Sequence, residues 1–287
     1  MSSLFEETKY ILRKYGITAN KSLGQNFLIN EEAVGKIVEG ANISKEDLVI
    51  EIGPGLGTLT KELLEKAGKV IAIELDKRML EILTDRFNLY NNFEIINEDV
   101  LKVDLKGLIT KNFDEGKFKS AKIVANLPYY ITTPIVMKLL EDNLPIESIT
   151  IMIQKEVADR LTEKPGGKNT GAITYAIYYY ATAEEIYKVM PNSFIPEPAV
   201  ESKVIKLTIR DEKPVAIEYE ELMFKIIKYA FMQRRKTLVN SLENSKLFKN
   251  KKDIIDMLEK LDINTKIRGE ALSLEDYANI ANFVIKM

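Results

Sequence analysis

The stretch VIEIGPGLGTLT, residues 49–60, decides the fold. Its apolar run leads into a turn that contains Gly53, Gly55 and Gly57, and the residues after the turn have the pattern of a helix start. Glycine allows the positive φ angles of a tight turn and lets a ligand approach the backbone. The N–H groups of a helix start bind anions and carboxylates. The spacing is GxGxG rather than the GxGxxG of dinucleotide-binding proteins, and alone such a turn is as often only a tight turn.

Short apolar runs separated by helical patterns extend on both sides of this stretch. β-branched runs of this length that alternate with helices predict parallel βαβ units. Five such strands are predicted, at 48–52, 69–75, 93–99, 121–127 and 147–154. Two further runs, 184–190 and 202–210, have no helix between them and predict an antiparallel hairpin at one edge of the sheet. We therefore predict an α/β fold with a mostly parallel sheet.

Two polar stretches are predicted to be loops. One is NKSLGQNFLIN, residues 20–30, and Asn30 at its end is the expected cap of a helix over 31–41. The other is PNSFIPEPAVE, residues 191–201, whose three prolines exclude a strand.

The chain is expected to form two domains, 1–210 and 211–287. RDEKP, residues 210–214, is the best linker candidate, and the residues from 217 onward are helix-patterned with no convincing strand. The second domain is therefore predicted to be small and all-helical. The aromatic run YAIYYY, residues 175–180, is predicted to be a core helix packed on the sheet.

The 287 residues include no Cys and no His, which excludes several kinds of chemistry. Disulfides, thiolate nucleophiles and Cys-based zinc sites are impossible. Ser-His-Asp triads, HExxH zinc sites and imidazole bases are impossible as well. No metal site is expected, and any reaction must depend on carboxylates, amides, hydroxyls, aromatic rings, Lys, Arg or a borrowed cofactor.

Membrane insertion is not expected. No apolar run approaches the roughly 20 residues of a membrane span. The first 16 residues lack a signal-peptide core and carry acidic residues. The default expectation is a soluble cytoplasmic protein.

Two acidic residues follow neighbouring strands of the predicted sheet. Glu74 ends the second strand, where an acid can accept both hydroxyls of a ribose, and Asp99 ends the third strand. Ligands of open α/β sheets bind at this carboxyl edge, where the glycine turn lies as well. Each acid alone is more often a solvated or capping residue. Together with the turn they predict a site for an adenosine-containing cofactor.

The segment NLPYY, residues 126–130, follows the fourth strand at the same edge. Asn and Pro are turn formers, so a plain turn is the simple interpretation. An Asn amide oxygen and turn carbonyls beside an aromatic ring also suit a planar NH2 group such as adenine N6. Hydrogen bonds accepted from that group favour a pyramidal nitrogen, whose lone pair can then attack a sulfonium methyl. Positioning provides much of such catalysis, and no strong base is required.

Four motifs occur in the order of a known family: KSLGQNFL (21–28), EIGPGLGTLT (51–60), NLPYYITTP (126–134) and FIPEPAVES (194–202). Together they resemble the KsgA family of ribosomal RNA adenine N6,N6-dimethyltransferases over about residues 10–245. The resemblance implies a Rossmann-like class I methyltransferase sheet and S-adenosylmethionine as the cofactor. The related Erm enzymes share the QNF and NxPY elements, but the second and third motifs look more like KsgA.

The resemblance also implies roles for individual residues. The cofactor is expected to contact Asn26, Leu28, Gly53, Gly55, Glu74, Asp99 and Asn126. Of these, Glu74 binds the ribose and Asp99 the adenine amino group. Asn126 and the carbonyls of Leu127 and Pro128 hold the target N6. Tyr129 and Phe194 are expected to stack on the two faces of the target base, although each alone is more often a packing residue.

A basic stretch is the candidate RNA contact. Between Phe224 and Lys252 there are nine Lys or Arg and one acid, Glu243, in a chain whose formal net charge is only −2. The usual interpretation of such a run is a solvated helix face. The apolar spacing predicts an amphipathic helix from 226 to 242, and Arg234, Arg235 and Lys236 on its polar side are expected to contact RNA phosphates.

The resemblance predicts N6,N6-dimethylation of two adjacent adenosines in the 3′-terminal hairpin of 16S rRNA, within the small (30S) ribosomal subunit and coupled to its biogenesis. The enzyme is expected to be a monomer. An Erm-like 23S rRNA methyltransferase that gives antibiotic resistance is the close alternative. A non-catalytic RNA-binding assembly or transcription factor is a more distant one. An NAD-dependent dehydrogenase is disfavoured by the GxGxG spacing and by NLPY.

Overall fold

The strands of the chain form one large sheet and one short pair. The computed structural model describes residues 3–20, 23–114, 116–167 and 169–286. Within them the strands are β1 Phe27–Leu28, β2 Asp47–Ile52, β3 Lys69–Ile73, β4 Phe93–Ile96, β5 Ser120–Asn126, β6 Ser148–Gln154, β7 Ala181–Val189, β8 Phe194–Ile195 and β9 Ser202–Ile209. Seven of them form a sheet of order β4-β3-β2-β5-β6-β9-β7, and β1 pairs with β8.

The α-helices follow the strands in the alternation that the sequence predicts. They are α1 Leu4–Lys14, α2 Glu31–Ala41, α3 Thr58–Lys66, α4 Lys77–Phe87, α5 Leu105–Asp114, α6 Thr132–Glu141, α7 Lys155–Thr162, α8 Ala172–Tyr180, α9 Glu220–Met232, α10 Leu238–Leu242, α11 Lys251–Lys260 and α12 Leu274–Ile285. The predicted start of α2 is confirmed, because the Asn30 side chain accepts a hydrogen bond from the Ala33 N–H at 3.0 Å. α5 was not predicted.

The sheet is mostly parallel, as predicted. β2 is parallel to both β3 and β5, β3 is parallel to β4, and β5 is parallel to β6. All six residues of β2 are buried, which explains why its sequence is a nearly continuous apolar run. The chain moves outward from β2 through β3 to β4 and then returns to the other side of β2 as β5. The sheet therefore has a switch point between β2 and β5, where open α/β sheets bind ligands.

The antiparallel edge is also confirmed. β9 runs antiparallel to β6, and β7 lies beside β9 as the last strand. The Arg210 N–H, just after β9, donates to the carbonyl of Tyr180, just before β7, at 2.9 Å. This bond joins the end of one strand to the start of the other, as an antiparallel pair requires.

The two stretches predicted to be loops contain the short strands β1 and β8, so that prediction was wrong at these positions. Phe27 pairs with Ile195 and Leu28 with Phe194 in antiparallel register, and the Ile29 N–H donates to the Ser193 carbonyl at 2.8 Å. The three prolines of the second stretch flank β8 rather than interrupt it, so both of its residues keep an N–H group. Two distant motifs are thereby brought side by side.

The structure divides into two units at points that differ in part from the predicted domains. The first unit holds the residues up to Ala158 together with Ala183–Ile209, and the second holds Asp159–Thr182 and the residues from Arg210 onward. The predicted change at residue 210 coincides with a junction, but 159–182 belongs to the second unit. The sequence placed 159–182 in the first domain because a helix that follows a strand in an α/β pattern resembles one more crossover helix.

The core of the second unit is rich in tyrosine. The buried Tyr175 hydroxyl donates to the Leu272 carbonyl at 2.6 Å, and the Tyr277 hydroxyl donates to the Gly269 carbonyl at 2.9 Å. Their rings meet edge to face with centroids 5.0 Å apart. The prediction that 175–180 are core residues is confirmed, although the core they join is that of the second unit.

Candidate active site

The glycine turn after β2 has the positive φ angles that its sequence predicts. Gly53 and Gly57 have φ angles of +68° and +82°, which side-chain-bearing residues rarely adopt. A Cβ atom on Gly57 would lie only 2.5 Å from the Phe87 ring, so the turn also packs too closely to admit one. A Cβ atom on Gly53 would lie 3.9 Å from the Asn126 carbonyl oxygen. The turn and the NLPY segment therefore face each other at the switch point.

Glu74 follows β3 directly and is 7% exposed. Its carboxylate accepts hydrogen bonds from the backbone N–H groups of Gly55, at 3.1 Å, and Asp76, at 2.8 Å. Burial raises the pKa of the Glu74 carboxyl above its ordinary value, against the opposing effect of those two N–H donors. Each oxygen keeps capacity for a further donor, so Glu74 can accept the hydroxyls of a ribose.

Asp99 lies three residues beyond the end of β4, which is shorter than the predicted strand. Its side chain is half-buried, and one carboxylate oxygen accepts the N–H of Leu101 at 3.0 Å. This bond closes a turn that aims the carboxylate, and the remaining acceptor capacity is available to a ligand amino group.

Asn126 is the last residue of β5, and its side chain has no hydrogen-bond partner among the described residues. The carbonyls of the next two residues, Leu127 and Pro128, differ in whether they already accept hydrogen bonds. The Pro128 carbonyl already accepts the Ile131 N–H at 3.3 Å and the Thr132 hydroxyl at 3.1 Å. The Leu127 carbonyl accepts no hydrogen bond within the described part of the chain. Asn126 and Leu127 are therefore the two acceptors of this segment that remain free for a ligand.

Two aromatic residues border the same space and are held in different ways. The Tyr129 hydroxyl is 2.7 Å from the Ser202 hydroxyl, and burial raises the pKa of Tyr129. Phe194 is 2% exposed and is held in the pairing of β8 with β1. Both rings therefore have a restricted orientation.

The cofactor and substrate residues predicted from the sequence all line one pocket. They are Asn26, Leu28, Gly53, Gly55, Glu74, Asp99, Asn126, Leu127, Pro128, Tyr129 and Phe194. The pocket lies at the carboxyl edge of the parallel strands, on both sides of the switch point.

Sequence reasoning missed other residues of this pocket, among them Glu51 and Tyr130. Glu51 is 1% exposed, and its Oε2 atom has no hydrogen-bond partner in the described structure. Burial, together with repulsion by Glu74, raises the pKa of Glu51 to about 8. A charged residue inside the buried strand VIEI was the available signal. Tyr130 is 57% exposed, and its ring lies over Gly24, where a Cβ atom would be 3.3 Å from it.

The basic residues 234–236 lie in the second unit, and the prediction that they belong to a continuous helix was wrong. α9 ends at Met232, and α10 begins after Thr237, whose hydroxyl caps it. The Arg234 guanidinium donates to the Thr170 carbonyl at 3.1 Å and pairs with Glu270 at 3.3 Å. Arg235 and Lys236 are exposed. Arg234 thus holds the loop in place, and Arg235 and Lys236 are the exposed cations of this loop.

The described residues lack both a membrane-spanning helix and an acidic metal-binding cluster. No helix among them is long and apolar enough to cross a membrane. No group of three or more acidic side chains is arranged to hold a metal ion in the part of the chain that the structure describes.

Comparisons with known proteins point to one family. The family model for ribosomal RNA adenine dimethylase matches residues 16–286. A ribosomal RNA small subunit methyltransferase A from Alkaliphilus metalliredigens is 50% identical, over 97% of this chain and 96% of the relative. A protein of the same name from Bacillus pumilus is 47% identical, over 97% and 96%.

Solved structures show the same fold. A dimethyladenosine transferase from Plasmodium falciparum is 28% identical, with a TM-score of 0.76, over 91% of this chain and 98% of that one. The 23S rRNA methyltransferase ErmE is 24% identical, with a TM-score of 0.67, over 91% and 100%. The predicted Rossmann-like class I methyltransferase sheet is confirmed. The chain belongs to the ribosomal RNA adenine dimethylase family.

Proposed function

We propose that this protein transfers methyl groups from S-adenosylmethionine to N6 of two adjacent adenosines in the 3′-terminal hairpin of 16S rRNA, within the small ribosomal subunit. The observation that carries the proposal is the single pocket in which Glu74 and Asp99 lie on one side of the switch point and Asn126 and Leu127 on the other. The choice of the small subunit follows the names of relatives that are 46–50% identical over nearly the whole chain.

The residues of the pocket fit S-adenosylmethionine, the methyl donor of this family. Glu74 accepts the ribose hydroxyls and Asp99 the adenine amino group. The turn at Gly53 and Gly55 leaves room beside the backbone for the methionine portion. The Oε2 atom of Glu51 has no partner among the described residues and suits the cationic ammonium group, because a buried polar atom without a partner is costly. When bound, the cofactor supplies an electrophilic methyl group on a positively charged sulfur.

Asn126 and Leu127 prepare the nucleophile. The Asn126 side-chain oxygen and the Leu127 carbonyl accept hydrogen bonds from the two N6 protons and draw the nitrogen out of conjugation with the ring. The Pro128 carbonyl is occupied by Ile131 and Thr132, so we assign it to the support of the turn. Positioning and fixed dipoles do this work without a general base, consistent with a chain that has no His.

Tyr129 and Phe194 hold the extruded base. An adenine that leaves its stack needs flat partners, and aromatic side chains supply them. The hydrogen bond between the hydroxyls of Tyr129 and Ser202 and the strand pairing of Phe194 fix the two rings before the base arrives. Asn26, just before β1, and Leu28, in β1, close over the cofactor.

The RNA is held by phosphate contacts from Arg235 and Lys236 on the loop that Arg234 fastens. Such contacts supply affinity and register but no sequence information. The substrate is then chosen by the shape of the subunit. The enzyme acts as a monomer in the cytoplasm, where ribosomal subunits assemble.

The test is transfer of labelled methyl groups to undermethylated small subunits, with large subunits assayed in parallel. Label in 16S rRNA at two adjacent adenosines is expected. Label in 23S rRNA instead would support the Erm-like function, for which the structural likeness to ErmE is the relevant observation. Binding to small subunits without any transfer would support a non-catalytic assembly factor.

A further inference from the structure

One wall of the pocket is formed by residues 23–28, here called the wall segment. At its carboxyl end the segment is held by main-chain pairing, since Phe27 and Leu28 form β1 opposite β8. Toward its amino end the N–H groups of Leu23 and Gln25 donate to the nearby Asn20 carbonyl, and the Gln25 side chain joins the segment to a distant part of the sequence.

Both ends of the Gln25 amide are used. Its Nε2 atom donates to Oδ2 of Asp76 at 2.8 Å, and its Oε1 atom accepts the Asn20 N–H at 2.9 Å. The first bond crosses 51 residues of sequence and joins the wall segment to the residue that caps α4.

Asp76 is 9% exposed and is the centre of a network. Its carboxylate accepts the backbone N–H of Arg78 at 3.1 Å and the Arg78 guanidinium at 2.5–3.1 Å. The Arg78 guanidinium holds the pKa of Asp76 below its ordinary value. The Asp76 N–H donates to Glu74, which in turn accepts the N–H of Gly55. One chain of hydrogen bonds thus runs from the wall segment through Asp76 and Glu74 to the glycine turn.

We propose that Gln25 and Asp76 are positioning residues for cofactor retention. Their hydrogen bond holds the wall segment across the cofactor side of the pocket, and the cofactor leaves when this bond opens. The inference rests on the proposed function only in that the pocket binds S-adenosylmethionine. Gln25 is not among the residues assigned to the methyl transfer step, so its effect belongs to the dissociation of the cofactor.

The experiment swaps donor and acceptor between residues 25 and 76, as a double-mutant cycle with Gln25→Glu alone, Asp76→Asn alone and the two combined. Gln25→Ala removes the bond, and Gln25→Glu places a carboxylate against Asp76. Gln25→Glu combined with Asp76→Asn restores a bond in which the new amide donates to the new carboxylate, while Asn remains a good helix cap. Calorimetry with S-adenosylhomocysteine measures Kd for each form, and Tyr15→Phe is the matched control. The Tyr15 hydroxyl donates to Asp85, elsewhere on α4 and outside the pocket.

Loss of a hydrogen bond to a charged group is expected to raise Kd about tenfold or more in Gln25→Ala. Gln25→Glu loses the same donor, but the Arg78 guanidinium lies 3.5 Å from the residue 25 oxygen, so Kd is expected to rise less than in Gln25→Ala. The double variant is expected to return to within about threefold of the unmodified protein, since coupling is specific to the pair. Turnover at saturating cofactor should stay unchanged in these variants, and Kd should stay unchanged in Tyr15→Phe.

Unchanged Kd in Gln25→Ala, or no recovery in the double variant, would overturn this inference while leaving the proposed function intact. If the unmodified protein binds no cofactor, the proposed function fails and the inference fails with it. The two failures are therefore distinguishable in one set of titrations.

Discussion

The Glu74 carboxylate accepts the backbone N–H of Gly55 at 3.1 Å, across the gap between the ends of β3 and β2. The residue proposed to bind the ribose therefore also orients the turn that approaches the methionine portion. The two halves of the cofactor site depend on each other, and a change at Glu74 is expected to disturb both.

Glu74→Gln is expected to raise the Kd for S-adenosylhomocysteine about tenfold or more, because a Gln side chain offers one acceptor oxygen where two N–H groups need one each. Calorimetry measures the change. Glu94→Gln is the control, since Glu94 lies on the edge strand β4, pairs with Lys69 and does not line the pocket. Equal affinity in both variants would refute the proposed contact.

Asn126→Ala is expected to lower methyl transfer to small subunits by at least about a hundredfold, as removal of a preorganised polar group at a reacting centre does. Cofactor affinity should change little, since Glu74, Asp99 and the glycine turn remain. The readout is single-turnover transfer of a labelled methyl group, and Asn88→Ala, an exposed cap of α4, is the control. Near-normal turnover would exclude Asn126 as an acceptor for N6.

Arg235→Ala combined with Lys236→Ala is expected to weaken small-subunit binding and to lower the slope of log K against log salt by about 2, one for each lost phosphate contact. Arg234→Ala should change this slope less, because the Arg234 guanidinium is engaged by Thr170 and Glu270. Filter binding over a range of salt concentrations gives the slopes. Lys66→Ala, an exposed cation on α3, is the control. A slope that the double variant leaves unaltered would place the RNA contact elsewhere.

Glu51→Gln is expected to remove a pH-dependent loss of stability. The pKa of Glu51 is about 8 in the folded protein against an ordinary value of 4.5, so the folded state retains a proton that the unfolded state releases between these values. The contribution of Glu51 to stability therefore falls as pH rises through this window, by up to about 1.4 kcal/mol per pH unit. Urea unfolding of both forms from pH 5 to 9 should show the free energy of unfolding of the variant increasing relative to that of the unmodified protein as pH rises. The exposed Glu94→Gln variant should track the unmodified protein, and parallel curves for Glu51→Gln would contradict this assignment.

Much of the first unit could be predicted because its signals are local. The run of six buried residues in β2 and the glycine turn indicate their own structure, and Asn30 indicates the start of α2. The pocket was predictable for a related reason. Parallel strands bring their carboxyl ends to one edge, so Glu74 and Asn126 had to lie near each other once the strands were identified.

The missed features depend on partners that are distant in the sequence. Phe27–Leu28 and Phe194–Ile195 are too short to be recognised as strands, and only their mutual pairing makes them so. The break after Met232 is not marked by proline or glycine. The role of Gln25 depends on Asp76, and no period or spacing connects those two positions.

The second unit is interrupted in sequence, since Asp159–Thr182 is separated from the residues that follow Arg210. The acceptor of the Tyr175 hydroxyl, the Leu272 carbonyl, lies 97 residues further along the chain. During synthesis from the amino terminus, α8 therefore leaves the ribosome long before its partners exist, and the unit is completed only with α12. Domains fold as whole units during translation, so a chain that stops after β9 keeps an aromatic helix face open to chaperones and proteases.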